Sequence, residues 1–242
     1  MEQISKCGFT AIIGLPNSGK STLINQIIGK KISIATHKIQ TTRNIVRGIF
    51  VEDKTQIIFI DTPGIFNAKQ QMDKAMVKAA WEGVKNSDNI IFLVDCQKPQ
   101  YKKNQQILAK LVDIGKPVIL VLNKIDLIKN EQLLELIAYF NQSYNFAESF
   151  MVSALKNKNV YELVSLLKNY IPNGAFMYPE DIISDLPMRL FAAEITREKL
   201  FKFLKQELPY AISVETETWQ EDAKSIKIHQ VIYVAKAAQK KI

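Results

Sequence analysis

Gly14-Leu15-Pro16-Asn17-Ser18-Gly19-Lys20-Ser21 has the spacing G-x-x-x-x-G-K-[ST], and that spacing can hold phosphates. Its glycines let a loop turn backbone N–H groups inward, Lys20 reaches the two terminal phosphates, and the Ser21 hydroxyl is placed to meet Mg²⁺. In Asp61-Thr62-Pro63-Gly64 the carboxylate of Asp61 can approach the same Mg²⁺ shell, and the Gly64 N–H can touch a terminal phosphate. In Asn123-Lys124-Ile125-Asp126 the carboxylate of Asp126 can accept from the ring N–H and the amino group of guanine, a donor pair that adenine lacks. A site built on such bonds can discriminate by about 10⁴ or more, because the wrong base leaves buried groups unpaired. Ser153-Ala154 is recommended by its position alone. With Ser18, Thr22 and Leu155 beside these motifs, the candidate ligands are GTP or GDP with Mg²⁺.

Each motif has a plainer reading. A lone lysine is a solvated cation, Ser21 or Asp126 can cap a helix, and Asp-Thr-Pro-Gly is an ordinary turn sequence. The order of the four, and the strand before each, favours the nucleotide reading.

The elements that must position them alternate. Phe9–Ile13, Gln56–Ile60, Asn89–Val94, Val118–Leu122 and Phe150–Val152 are short apolar runs, as strands covered on both faces must be. Ser21–Ile28, Gln71–Val84, Asn104–Ile114, Glu131–Asn141 and Val160–Tyr170 carry apolar residues at helical spacing. The implied architecture is α/β, a mostly parallel sheet with crossover helices. Asn44–Glu52 alternates and has only a short link to the next strand, so it predicts one antiparallel edge strand.

Residues 1–172 form this unit, residues 173–186 a linker with an acidic stretch at Tyr178–Asp185, and residues 187–242 a smaller α+β unit. Met188–Glu207 is expected as a helix whose apolar face is Leu190, Phe191, Ile195, Leu200, Phe203 and Leu204, stopped by Pro209. Two alternating strands follow, from Ile212 to Thr218 and from Ile226 to Tyr233.

Composition excludes several classes. With 47% hydrophobic and 23% charged residues the chain is neither disordered nor fibrous. No apolar run has the length of a bilayer span, and residues 1–6 lack a secretory signal's apolar stretch, so a cytoplasmic location is expected. Cys7 and Cys96 have no partners at metal spacing and are expected as buried reduced thiols. The net charge is +8 with pI near 9.3. Residues 176–242 carry ten basic and ten acidic side chains, so the whole excess lies in the first part. It marks either a solvated face or a polyanion-binding surface.

These motifs resemble the Ras-like P-loop GTPases of the translation-factor class, and Gly14-Leu15-Pro16-Asn17 with Gln40-Thr41-Thr42-Arg43 is similar to the Era branch. The resemblance implies that Thr42 ligates Mg²⁺ and that Asn17 belongs to a K⁺ site together with backbone of residues 36–41. In Ras the residue after the glycine is a glutamine that orients the attacking water. Here Ile65 holds that place, which implies slow intrinsic hydrolysis.

Asp185-Leu186-Pro187, the stretch Ala192 to Leu200, and Glu207-Leu208-Pro209-Tyr210 resemble the start of that family's RNA-binding KH domain. The implied partners are the small ribosomal subunit and the 3′ region of 16S rRNA, with peripheral contact to the inner membrane and a monomeric state. A KH domain clamps nucleotides with a G-x-x-G loop, yet no glycine follows Gly174, so an incomplete domain and weak RNA binding are expected. The expected function is a GTP-hydrolysing switch in small-subunit assembly. A nucleotide-gated RNA or membrane module with negligible catalysis, and a tRNA-modification GTPase, are the alternatives.

Overall fold

The computed structural model describes residues 4–35, 46–64, 71–204, 212–236 and 239. A six-stranded sheet organises the first unit: β1 (Lys6–Ile13), β2 (Val46–Glu52), β3 (Thr55–Asp61), β4 (Asn89–Asp95), β5 (Val118–Asn123) and β6 (Glu148–Val152), in the order β2-β3-β1-β4-β5-β6. Every pairing is parallel except β2 with β3. That exception is the expected edge hairpin, turned at Asp53, which takes a left-handed φ of 53°.

The parallel strands read as unbroken apolar runs because helices cover both faces. On one face α1 (Lys20–Ile28) and α5 (Val160–Leu167) press Leu23, Ile24, Leu163 and Leu167 against Ile12, Phe59 and Ile91. On the other, α2 (Gln71–Lys85), α3 (Tyr101–Leu111) and α4 (Asn130–Ser143) bring Val84, Ile107, Leu108 and Phe140 against Ile13, Phe92 and Leu120. Cys7 and Cys96 are buried and free, as expected.

The stretch read as a linker is packed. Cys7 N–H donates to Pro172 O and Gly174 N–H to Ser5 O, while the Gln56 side chain both donates to Tyr178 O and accepts from the Met177 and Tyr178 N–H groups. Further on, Ile49 N–H donates to Ile183 O, and Ser184 bridges Gly48. An acidic, aperiodic stretch looks solvated in sequence. Here its backbone is tied to the sheet edge.

After it come α6 (Met188–Phe203) and a hairpin of β7 (Ile212–Glu221) and β8 (Ile226–Val234). The predicted helical face is corrected at one residue, Phe203. The side chains α6 buries are Ala193, Arg197, Glu198 and Phe201, while Phe203 is 78% exposed. Two of the four are charged, and they are buried because each has partners. Arg197 pairs with Glu194 and lies 5.3 Å from the Phe201 ring; Glu198 pairs with Lys31 and Lys202. Of the predicted stripe, Leu190, Phe191, Ile195, Leu200 and Leu204 are half-buried and Phe203 alone is exposed. The helix ends at Phe203, and Pro209 lies outside the described residues.

Candidate functional site

All four motifs sit at the carboxyl edge of the sheet, where open α/β sheets gather their ligands. The phosphate-loop segment leaves β1, Asp61 closes β3, Asn123 closes β5, and Ser153 follows β6. Asp95, from the end of β4, joins them.

The loop from Gly14 to Gly19 has no room for side chains at its glycines. A Cβ on Gly14 would lie 2.4 Å from the Leu93 carbonyl oxygen, and one on Gly19 would lie 2.2 Å from Asn123 Nδ2, where φ is also +102°. Asn17 takes a left-handed φ of 65°, which an asparagine tolerates better than most residues. Asn123 holds the loop by donating from Nδ2 to Ser18 O at 2.8 Å, while its Oδ1 accepts from the Lys124 and Ala154 N–H groups. One buried amide therefore ties together the phosphate loop, the guanine motif and the Ser153-Ala154 turn.

Lys20 is buried, and its Nζ donates to Gly14 O and Leu15 O. Burial lowers its pKa to about 8, against the pull of Asp61. Asp61 is fully buried, and burial pushes its pKa up against hydrogen bonds from Ser33 and Ser21 and the charge of Lys20. Its Oδ2 accepts from Ser21 Oγ at 2.8 Å and Ser33 Oγ at 2.7 Å. Among the described residues its Oδ1 is buried without a hydrogen-bond partner, and so is Ser18 Oγ. Buried polar atoms are ordinarily satisfied, so orphaned oxygens beside a buried lysine suit a cation and an anionic oxygen that complete the set. The residues present therefore fit a magnesium nucleotide. When bound, that group supplies charge neutralisation and the phosphoryl bond to be cleaved.

Gly64 stands against the loop. A Cβ there would come within 2.9 Å of Pro16 N and Cα, so the Asp61–Gly64 segment is in contact with the phosphate loop through a glycine. Thr62 Oγ1 donates to Ile12 O and locks that segment to β1.

On the guanine side, Ser153 Oγ donates to Asp126 Oδ1 at 2.6 Å and aims the carboxylate. Lys124 Nζ donates to Asn17 O at 2.9 Å and to Asp95 Oδ2 at 2.6 Å, which lays its stem across the loop. Thr22, Ala154 and the exposed Leu155 line the same cleft.

Thr42, residues 36–41 and Ile65 lie outside the described residues. Three functional residues escaped sequence reasoning. Asn25 Oδ1 accepts from the N–H groups of Ile32 and Ser33 and its Nδ2 donates to Ser33 O, which fixes Ser33 on Asp61. Asp95 anchors Lys124. The strand-end position of Asp95 was a usable signal; nothing in the sequence marked Asn25 or Ser33.

The family model described as 50S ribosome-binding GTPase matches residues 9–124. The GTPase Era of Mesorhizobium japonicum is 51% identical over 236 residues, covering 97% of this chain and 76% of that protein. That of Sinorhizobium medicae is 51% identical over 239 residues, covering 98% and 77%. The chain belongs to the Era GTPase family. A crystal structure of Era in complex with MgGDPNP and nucleotides 1506–1542 of 16S ribosomal RNA superposes with a TM-score of 0.92 at 37% identity, over 98% of this chain and 81% of that one. An Aquifex aeolicus Era variant bound to GDP·AlF₄⁻ gives the same score and identity, over 97% and 81%. The Era family assignment fixes the chemistry as GTP hydrolysis and the fold as a Ras-like P-loop domain followed by part of a KH domain.

Proposed function

We propose that this Era-family chain cycles between GTP and GDP through residues 1–172 and acts in assembly of the small ribosomal subunit and maturation of 16S rRNA. The observation that carries the site is the convergence of Ser21, Ser33 and Lys20 on Asp61, whose second oxygen is buried and, among the described residues, unpartnered. In this reading Ser21, Asp61 and Thr42 hold Mg²⁺. Gly14, Asn17, Ser18, Gly19, Lys20 and Thr22 hold the phosphates; Asn123, Lys124, Asp126, Ser153, Ala154 and Leu155 enclose the base. Catalysis needs no covalent residue. Lys20 and the backbone N–H groups of the loop and Gly64 neutralise charge that develops on the phosphoryl oxygens. Ile65 has no side-chain group to orient the attacking water, so a K⁺ held near Asn17 adds to that neutralisation.

The RNA partner is the 3′ region of 16S rRNA, supported by family membership and by the RNA in the related Era complex. Residues 187–242, the KH-like part, contain no glycine, so no G-x-x-G clamp lies within them and their grip on RNA is weak. Contact with the inner membrane is peripheral in this reading; among the described residues no helix is long and apolar enough to cross a membrane. The working species is a monomer. Single-turnover GTP hydrolysis with Mg²⁺, with and without purified small subunits, tests the reading. Conversion accelerated by the subunits supports it; no conversion in either case makes the chain a nucleotide-gated binding module. Equal turnover in K⁺ and Na⁺, unchanged in Asn17→Asp, removes the monovalent ion.

A further inference from the structure

The cleft at the phosphate loop is larger than one nucleotide needs. It holds about 1290 Å³, beyond the roughly 300–1,000 Å³ of ordinary ligand sites. From Asn17 and Lys124 it continues between α2 and α3, where Val77 and Trp81 form one wall and Lys103, Gln106 and Lys110 the other. The α3 wall follows from its sequence. Asn104, Ile107, Leu108 and Leu111 are buried toward the sheet, which leaves Lys103, Gln106 and Lys110 exposed at the three- and four-residue spacing that shares one helix face.

Charge concentrates here. Residues 97–116 hold five lysines and one aspartate, half of the chain's net +8. Among the described residues no carboxylate pairs with Lys98, Lys102, Lys103 or Lys110, whereas Lys31, Lys124, Lys168 and Lys202 are each matched. The Lys110 ammonium instead stands 5.6 Å from the centre of the Trp81 ring. Two polar atoms of cleft-lining residues, Trp81 Nε1 and Asn104 Oδ1, are buried with no hydrogen-bond partner among the described residues.

We propose that the α2–α3 cleft is a second RNA-binding surface, carried by the nucleotide-binding unit and separate from residues 187–242. Unmatched lysines along one wall suit a phosphodiester backbone, and an aromatic ring opposite them offers a stacking face that every base can use. Gln97, Gln106 and the spare Asn104 oxygen supply donors and acceptors for base edges. An acidic peptide uses the lysines but leaves the ring idle, and a concave slot between two helices does not fit a flat bilayer. The proposal rests on RNA being the partner, but not on the KH-like residues. Because the slot opens into the nucleotide cleft, RNA held there lies beside the bound nucleotide.

The test uses the full chain loaded with GDP and a fluorescein-labelled 15-nucleotide single-stranded RNA of mixed sequence, read by anisotropy at several KCl concentrations. Lys98→Glu with Lys103→Glu and Lys110→Glu is expected to weaken binding at least tenfold. It should also flatten the salt slope by about 2, three lysines counting about 0.7 each on a single strand. A control with the same charge change at the exposed Lys30, Lys54 and Lys158 should lose less than threefold, and both variants should bind GDP as the parent does. In a Trp219→Phe background Trp81 is the sole tryptophan, and saturating RNA should change its emission. Equal losses in both triple variants, an unchanged Trp81 signal at saturation, or binding only to anionic phosphatidylglycerol vesicles overturns the proposal. Failure to bind GDP in the parent chain defeats the GTPase reading instead.

Discussion

At the scale of single residues the site is governed by two buried opposite charges, Lys20 and Asp61, each pushed by burial toward its neutral form. A Lys20 pKa of about 8 makes proton uptake part of nucleotide binding. The phosphates favour the ammonium and raise its pKa, so at pH values near or above 8 binding must draw a proton from solvent. Affinity therefore falls as pH rises past about 8. Titration calorimetry of GDP at pH 8, in buffers of different ionisation enthalpy, should show uptake of roughly half a proton, the fraction missing at a pKa; zero uptake would sink the argument. In the same pair, Ser33 gives Asp61 Oδ2 one of its two hydroxyl hydrogen bonds. A hydrogen bond to a charged group is worth about 1.5–3 kcal/mol, so Ser33→Ala should raise the Mg²⁺ concentration needed to slow GDP release by roughly tenfold or more. Asp61→Asn should abolish that Mg²⁺ dependence. An unchanged Mg²⁺ midpoint in Ser33→Ala would show the hydroxyl to be incidental.

At the scale of elements, α6 separates what pattern can reveal from what it cannot. Its apolar stripe in the sequence points to Phe203, but the helix buries Phe201 with Arg197 and Glu198. Phe201→Ala should lower stability by about 3–5 kcal/mol, as expected for a fully buried ring. Phe203→Ala should stay within about 0.5 kcal/mol, as exposed positions do. Urea unfolding in a Trp81→Phe background, followed by emission of Trp219 on the hairpin that packs beside α6, distinguishes them, and comparable losses would put Phe203 on the buried face. The strands were legible because burial on both faces leaves an uninterrupted apolar run. The edge strand was legible because its residues alternate and only a short link joins it to the next strand. The four motifs were legible because each must follow a strand end at fixed chemistry. The burial of Glu198 was not, since a charged residue is buried only with a partner, and Lys31 is far away in sequence. Asn25 and Ser33 were hidden for the same reason: their value lies in hydrogen bonds to the distant Asp61 and to each other.

At the scale of the whole molecule, the C-terminal part is fastened to both sides of residues 36–45. On one side Lys31 Nζ meets Glu198 Oε2 at 2.5 Å and the Ala35 N–H also reaches that carboxylate. On the other, Arg47 Nη1 meets Asp185 Oδ2 at 2.6 Å, and β2 pairs with Ile183 and Ser184. Burial works against the Glu198 carboxylate, but Lys31, Lys202 and the Ala35 N–H outweigh it and hold its pKa below the ordinary value. A depressed acid adds stability above its unfolded pKa and loses it as pH falls through the folded one, so this fastening is complete at neutral pH. Residues 36–45 contain Thr42, proposed to reach the bound Mg²⁺, so a change of nucleotide acts between two anchors of the C-terminal part. Hydrogen exchange of α6 should then differ between the GDP-bound chain and the chain bound to a non-hydrolysable GTP analogue. Glu198→Gln combined with Asp185→Asn removes both charges without shortening either side chain, and should reduce that difference by at least half while GDP affinity holds. If α6 exchanges identically in the two nucleotide states, or if the double variant keeps the full difference, the two fastenings carry no signal and serve only to hold the parts together.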